Sequence, residues 1–276
     1  MCRSKDQANS PWIVSYNTKM RNKELKLIVP ISGLGWIANN LQLDKDIKIR
    51  FLDLNGEDEL LQKSGFNSIK YKCVAEIHYK FDADEASEPY PKVDFLLKRL
   101  ESALRIYHPG FIALAGIIAV PNDSPFPYIR NSSVNGHPQY NIEKEKLEKL
   151  PDFWKKFNKA YVKKPIAFDM YNKSQDRYAP NDVAIDLSIV LESIFVPEKS
   201  RGEKKVFITQ GVRILGYDEK DQTMLADLYE YRNSIIHGNL AKQHQLLSGA
   251  KYTVIWFEEL VELVRKILVN YAEKSW

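Results

Sequence analysis

The segment Asp227-Leu-Tyr-Glu-Tyr-Arg-Asn-Ser-Ile-Ile-His-Gly238 holds the residues of this chain best suited to chemistry. At about 100° per residue on a helix, Met224, Leu228, Tyr231 and Ile235 fall on one stripe. Tyr229, Arg232, Asn233, Ile236 and His237 gather on the opposite side. Asn233 and His237 are four apart, so they are neighbours on a helical surface. One helix end thus presents a guanidinium, an amide and an imidazole together. That set suits phosphodiester chemistry on RNA. An imidazole that titrates near neutral pH can take a proton from a ribose 2′-OH or give one to the leaving oxygen. An arginine fork can hold phosphate oxygens and offset the charge that grows in the transition state. The amide can orient either group. Such a mechanism needs no metal and no cofactor, and none is expected from the ligand types in the sequence.

Each of these residues also has a plainer reading. A histidine near a helix C-terminus favours the helix dipole, and Gly238 directly after His237 is a common helix stop. Arg232 reads equally as an ion-pair partner of Glu230 or Asp227. Tyr229 reads as packing at a seam with a second copy. A similar start, Arg130-Asn131 followed by His137, lies in a Pro/Ser/Asn-rich stretch where no helix would fix its geometry.

The elements that must position this segment are helical. Glu143–Ala160 is charged and periodic, and Pro151 is expected to divide it in two. Asn181 or Asp182 is expected to cap an apolar helix over Val183–Phe195. Val206–Leu215 ends at Gly216, Asp218–His237 ends at Gly238, and Tyr252–Tyr271 carries Trp256, Leu260, Leu263, Val264, Ile267 and Leu268. Four or five helices joined by short loops predict a bundle.

The first half is mixed. Leu25–Ile31 and Ile47–Leu54 are short branched runs expected as strands. Tyr71–Phe81 alternates, with Cys73, Ala75, Ile77 and Tyr79 opposite Lys72, Glu76 and His78, as in a half-buried antiparallel strand. Lys92–Tyr107 switches to helical spacing through Phe95, Leu96, Leu100, Leu104 and Tyr107. Phe111–Val120 is nearly all apolar and is expected as a central strand. Pro121–Pro138 is rich in Pro, Asn, Asp, Ser and Gly, which is linker chemistry. The fold class expected is therefore α+β, with a mixed domain over residues 1–138 and a four- to five-helix bundle over residues 139–276.

Composition narrows the function classes. The chain has 276 residues, 44% of them hydrophobic and 28% charged, which is ordinary globular composition and excludes a disordered tail or fibre. No run approaches the roughly 20 apolar residues of a membrane helix. The first residues lack the apolar stretch of a secretory signal. Two cysteines, Cys2 and Cys73, are too few for a disulfide framework or a zinc cluster. A soluble protein of the reducing cytoplasm is expected. The net charge of +4 permits a polyanionic partner without demanding one.

Residues 181–238 resemble the Apea-like HEPN family of bacterial proteins. The likeness rests on Asp182-Val-Ala-Ile-Asp-Leu-Ser-Ile-Val-Leu-Glu-Ser-Ile-Phe195, then a charged loop, then Gln210-Gly-Val-Arg-Ile-Leu-Gly216, and ends in Leu228-Tyr-Glu-Tyr-Arg-Asn-Ser-Ile-Ile-His-Gly238. It covers about a fifth of the chain and extends more weakly from about residue 140 to the C-terminus. The family signature is an arginine, a polar residue, a short spacer and a histidine near a helix end; Arg232, Asn233 and His237 match it. The resemblance implies a bundle that pairs into a homodimer, so that two Arg/His sets face one cleft. It also implies a metal-independent endoribonuclease of antiviral defence, abortive infection or toxin systems, with RNA as substrate and room for a regulatory protein partner. Some members keep the fold and only bind RNA or protein, which is the alternative function. Glu192, in an otherwise apolar helix, is a candidate to orient Arg232. Arg213 is a further candidate partner for Glu192 or Asp186.

Two other features compete. Lys155, Lys156, Lys159, Lys163 and Lys164 interleave with Trp154, Phe157 and Tyr161. This pattern could grip RNA backbone and stack bases, or it is a solvated helix face whose aromatic residues lie in the core. Gly33-Leu-Gly35-Trp-Ile-Ala38 after an apolar run, with Asp53 twenty residues past Gly33, outlines a dinucleotide fingerprint. Its crossover, Ala38–Asp44, is short and carries Asn39-Asn40, which disfavour helix.

Overall fold

A computed structural model of the chain describes residues 24–34, 40–53, 61–62, 66, 71–80, 90–110, 112–120, 128–129, 140, 142–197, 204–214, 216–243 and 254–274. Seven strands form one antiparallel sheet: β1 (Glu24–Ser32), β2 (Leu41–Gln42), β3 (Ile47–Phe51), β4 (Cys73–Lys80), β5 (Ala113–Leu114), β6 (Gly116–Val120) and β7 (Tyr128–Ile129), in the order β2-β3-β4-β1-β6-β7 with β5 also on β1. Among the described residues the longer helices are α1 (Tyr90–Tyr107), α2 (Lys144–Lys163), α3 (Pro165–Ser174), α4 (Pro180–Phe195), α5 (Lys204–Ile214), α6 (Glu219–Ile236) and α7 (Val254–Lys274). The mixed α+β class and a helical second half stand as expected, but the described residues after 139 hold six of these helices rather than four or five, because Pro165 opens a separate helix over Pro165–Ser174 directly after α2.

Alternation decides the two sheet faces. Leu27, Val29, Ile31, Ile47, Ile49, Cys73, Ala75 and Ile77 point to one face and are buried with the helices. Ile28, Val74, Ala115 and Ile118 point to the other and join Leu52, Leu61 and Phe66 in a smaller cluster. Beyond that cluster the outer face is charged. Glu76 receives Arg50 Nε at 2.7 Å and Lys26 Nζ at 3.0 Å, with His78 Nε2 at 3.2 Å.

The apolar run 111–120 is not the central strand; β1 is, between β4 on one side and β5 and β6 on the other. The run splits at Ala115, where the pairing register with β1 shifts by one residue, from Ile31 opposite Leu114 to Ile28 opposite Ile118. The shift falls opposite Pro30, which has no N–H to give a neighbouring strand. Its carbonyl is still used, accepting from Ala115 N at 2.9 Å. A bulge is the device that lets a proline sit in a central strand.

Three local expectations change. Pro151 lies inside a continuous α2. The lost backbone bond is outweighed by burial of Leu150, Phe153, Trp154, Phe157, Ala160 and Tyr161 along one stripe. In α1 the buried stripe runs through Val93, Leu97, Leu100, Ala103 and Leu104, and Phe95 is half exposed on the flank. In α4 the N-cap is Ala179, and Pro180 takes the first helical position, where its fixed φ suits the turn and no N–H is needed. Asn181 and Asp182 are therefore already inside the first turn.

The boundary expected near residue 139 falls among residues outside the described set. On either side of it the buried side chains form one core, in which α1 packs against α2, α3 and α7 as well as the sheet. Between α4 and α5 the approach is very close. A Cβ on Gly211 would lie 2.1 Å from Phe195 Cδ1.

Two outcomes are expected. Burial raises the Glu76 pKa, but Arg50, Lys26 and His78 outweigh it and bring it down to about 2. A carboxylate depressed below its unfolded value stabilises the fold above about pH 4.5, and this contribution, up to about 3 kcal/mol, is lost as pH falls towards 2. Denaturant melts should show Glu76→Gln less stable than wild type at pH 6, with the gap closing at pH 2. Gly211→Ala should lower stability by about 1–2 kcal/mol, because displacing the Phe195 ring exceeds the helix-propensity gain of about 1 kcal/mol. A thermal melt reads the loss, and adding Phe195→Ala should remove the clash component.

Candidate functional site

The site lies at the C-terminal end of α6. The helix starts at Asp218, whose side chain accepts from Asp221 N at 2.9 Å, a standard N-cap. Met224, Leu225, Leu228 and Tyr231 are buried, as the stripe predicts, and Ser234 joins them. Tyr231 ties α6 to two neighbours. Its hydroxyl donates to Asn181 Oδ1 of α4 at 2.6 Å, and its ring meets Phe257 of α7 edge-on at 5.9 Å. Burial raises the Tyr231 pKa, so the phenol remains a donor at neutral pH.

The end of α6 is closed by a Schellman turn. His237 is the C-cap residue. Gly238 takes φ +63°, its N–H donates to Ile235 O at 3.1 Å, and Asn239 N donates to Ser234 O at 2.9 Å. Gln243 Nε2 also donates to Ser234 O, at 3.0 Å. Asn239 Oδ1 in turn accepts from Lys242 N at 3.0 Å and caps the helical turn at 240–243. The backbone carrying His237 is thus fixed from both directions, while its side chain is exposed. The structural reading of His237 as a helix-end residue and its availability for chemistry are both true of the same position.

Arg232 and Asn233 are half-buried beside it. Arg232 Nη1 donates to Asn233 Oδ1 at 2.9 Å, and the guanidinium lies 5.5 Å from the centre of the Tyr229 ring. Arg232 Nη2 stands 3.4 Å from Glu192 Oε1 of α4, close enough for charge pairing though not aligned as a hydrogen bond. A guanidinium has five N–H donors, so at least three remain for an incoming anion. The arrangement offers a restrained cation and an accessible imidazole on one surface, with Ile236 exposed between them.

The structure therefore brings Arg232, Asn233, Tyr229 and Glu192 together, with His237 one turn on. Arg213 does not join them. It is exposed in the last turn of α5, and its guanidinium has no ion pair or hydrogen bond with a described residue. The cation facing Glu192 is Arg232, and Asp186 is held instead by Arg177 at 3.1 Å and Lys173 at 3.9 Å. The geometry matters because the reach of α5 from α4 is set by Phe195 against Gly211, not by these charges. Asn181, Asn239 and Gln243 support the site and were not picked out from the sequence as site residues. The Pro180 signal could have moved the helix start and freed Asn181 for another role.

The competing features come out differently. Trp154, Phe157 and Tyr161 are buried in the core, so the lysine-rich stretch of α2 has no such rings for bases to stack on. Gly33 takes φ +87° and its carbonyl accepts from Tyr140 N at 3.2 Å. Gly35 and Arg130 to His137 lie outside the described residues. A dinucleotide crossover needs adjacent parallel strands. Here β1 pairs antiparallel with β4, β5 and β6, and β4 separates it from β3, the strand before Asp53. Among the described residues no group of three or more His, Cys, Asp or Glu side chains is placed to hold a metal, and no helix is long and apolar enough to cross a membrane.

Compared with protein-family models, curated proteins and solved structures, the chain matches none.

Tyr231→Phe should cost about 1 kcal/mol, since it deletes one buried bond and leaves Asn181 Oδ1 without that donor. Chemical denaturation measures it, and Asn181→Ala in the Tyr231→Phe background should add little.

Proposed function

We propose that this chain is a metal-independent endoribonuclease of HEPN type. The single observation that carries the reading is the grouping of Arg232, Asn233 and His237 at the exposed end of α6, with Glu192 and Tyr229 restraining the arginine. His237 takes the proton from a ribose 2′-OH, the freed oxygen attacks the adjacent phosphorus, and the 5′-oxygen leaves. The products are a 2′,3′-cyclic phosphate and a 5′-hydroxyl. Arg232 stabilises the extra negative charge on the pentacovalent phosphorus, and Asn233 holds the arginine in place. Glu192 keeps the guanidinium pointed along the helix end and gives way to a phosphate that outcompetes one charge pair. One imidazole cannot be base and acid in the same step. A homodimer would supply a second His237 to protonate the leaving oxygen, and exposed Ile236 and Leu240 beside His237 give such a pairing an apolar surface. A role in cytoplasmic antiviral defence or a toxin system, and control by a protein partner, belong to the same reading.

A second reading, RNA or protein binding without cleavage, is favoured by one observation. Arg232 is already engaged by Glu192, Asn233 and Tyr229, which is also how a structural arginine is held.

Incubation with single-stranded RNA in EDTA should give cyclic-phosphate ends, with the rate falling about 10²–10⁴-fold in His237→Ala. Intact RNA with wild type, or equal cutting by His237→Ala, overturns the proposal. RNA affinity without cutting, unchanged in Arg232→Ala, supports the second reading.

A further inference from the structure

Where α1 and α2 meet, a seam contains a cation with no ion-pair partner among the described residues. Arg99 of α1 is half-buried. Its guanidinium carbon lies 5.7 Å from the centre of the Phe95 ring and 5.7 Å from the centre of the Trp154 ring. Its Nε is sealed from solvent and has no hydrogen-bond partner. No described residue forms an ion pair with it. The carboxylate nearest in charge terms, Asp44, is already used: Oδ2 accepts from Trp154 Nε1 at 2.8 Å and Oδ1 from Asp46 N at 2.9 Å. Three other arginines with well-shielded side chains each have a carboxylate. Arg50 has Glu76, Arg105 has Glu101 and Arg265 has Glu262. A desolvated guanidinium with only ring faces for company is costly, and such exceptions call for a reason.

The surroundings specify what would complete it. Phe95 is 50% exposed and meets Tyr161 nearly at right angles, with ring centres 5.7 Å apart, so part of its ring is open to solvent beside Arg99. Asn158 lies one turn from Trp154 and from Tyr161 on the same stripe of α2, and its Oδ1 is buried without a donor. Lys155 and Lys159 border the seam on the solvent side of that stripe. The seam therefore presents an unpaired planar cation beside a half-exposed aromatic ring. A phosphate satisfies the first and a nucleobase stacks on the second. We propose that the α1–α2 seam is a nucleotide-binding site, in which Arg99 holds a phosphate and the base stacks on Phe95. The unit bound is either a free nucleotide or one nucleotide of a single-stranded RNA. Burial pulls the Arg99 pKa down, with Tyr161 and Asp44 acting against it; a bound phosphate would restore the charge partner that the protein does not provide.

The inference stands on residues separate from Arg232 and His237, so the two proposals fail separately. Calorimetric titration of the full chain uses three probes: inorganic phosphate, AMP and a single-stranded oligoribonucleotide. The oligonucleotide arm is run in His237→Ala so that the RNA stays whole. AMP should bind saturably and at least tenfold more tightly than phosphate. Arg99→Gln should weaken AMP at least tenfold without lowering the melting temperature, since it removes an unpaired cation. Phe95→Leu should weaken AMP and leave phosphate unchanged. An oligonucleotide that binds more tightly than AMP, and weakens with Arg99→Gln by the same factor, identifies RNA as the source; no gain over AMP identifies a free nucleotide. Should Arg99→Gln fail to fold, Arg99→Lys tests the same point by keeping the charge and losing the planar fork. Absence of saturable binding by all three probes, or affinity unchanged in the Arg99 variants, overturns the proposal.

Discussion

The last carbonyls of α1 have no helical partner, and they end inside the protein. That constraint organises the rest of the structure, because a buried backbone acceptor must find a donor. Arg265, from the far end of the chain, meets it. Its Nη1 donates to Ile106 O at 2.6 Å and Tyr107 O at 3.2 Å, while Nε and Nη2 each hold Glu262 at 2.7 Å. Burial alone would lower the Arg265 pKa; Glu262 reverses this and raises it. A cation at a helix C-terminus is also favoured by the helix dipole. In the same last turn, Arg105 donates to Ile112 O beside the sheet, to Asn172 O of α3 and to Glu101 within α1, and pairs with Asp176 at 3.0 Å. Two arginines thus lock α1, the sheet and the bundle into one body. Removing either would leave several buried acceptors and a carboxylate unmatched at once.

The candidate site inherits its position from that lock. α6 does not touch α1 through any of these bonds. It is placed by α4, through Tyr231 and Asn181, and by α7, through Phe257. Because α7 is fixed by Arg265, and α4 packs on α3 and α7, the end of α6 is held relative to the core by its inward residues, with one further charge pair from Arg232 to Glu192 of α4. Among the described residues the side chains of Asn233 and His237 bond to no other element, so these two are not needed to hold the fold together. The Schellman turn does the remaining work, since it stops the helix at His237 and turns the chain away.

Legibility varied with how local the governing physics was. The stripe of α6, its Asp218 start and its Gly238 stop are all set within a few residues, and each was readable. So was the alternation of β4. Pro151 was misread because its local cost was visible and the compensating burial of six α2 side chains was not. Phe95 belongs to the apolar repeat of Lys92–Tyr107 yet is half exposed, because helical spacing gives a stripe but not its exact rotation against a sheet and a bundle together. The bulge at Ala115 follows from Pro30, more than eighty residues away, and only strand pairing connects them. Glu192 was readable as a polar residue in an apolar helix that needed a cation. Which arginine met it was not.

By itself the sequence determined most element types, both ends of α6 and the residues that could do chemistry, because period, capping and side-chain pKa range are local properties. It also determined that the second half would be helical. Only the tertiary structure decided which cation faces Glu192, that the halves share one core, and that Arg99 is left between two rings without a carboxylate. These depend on which surfaces meet, and a pairing between residues tens of positions apart has no period in the sequence to announce it.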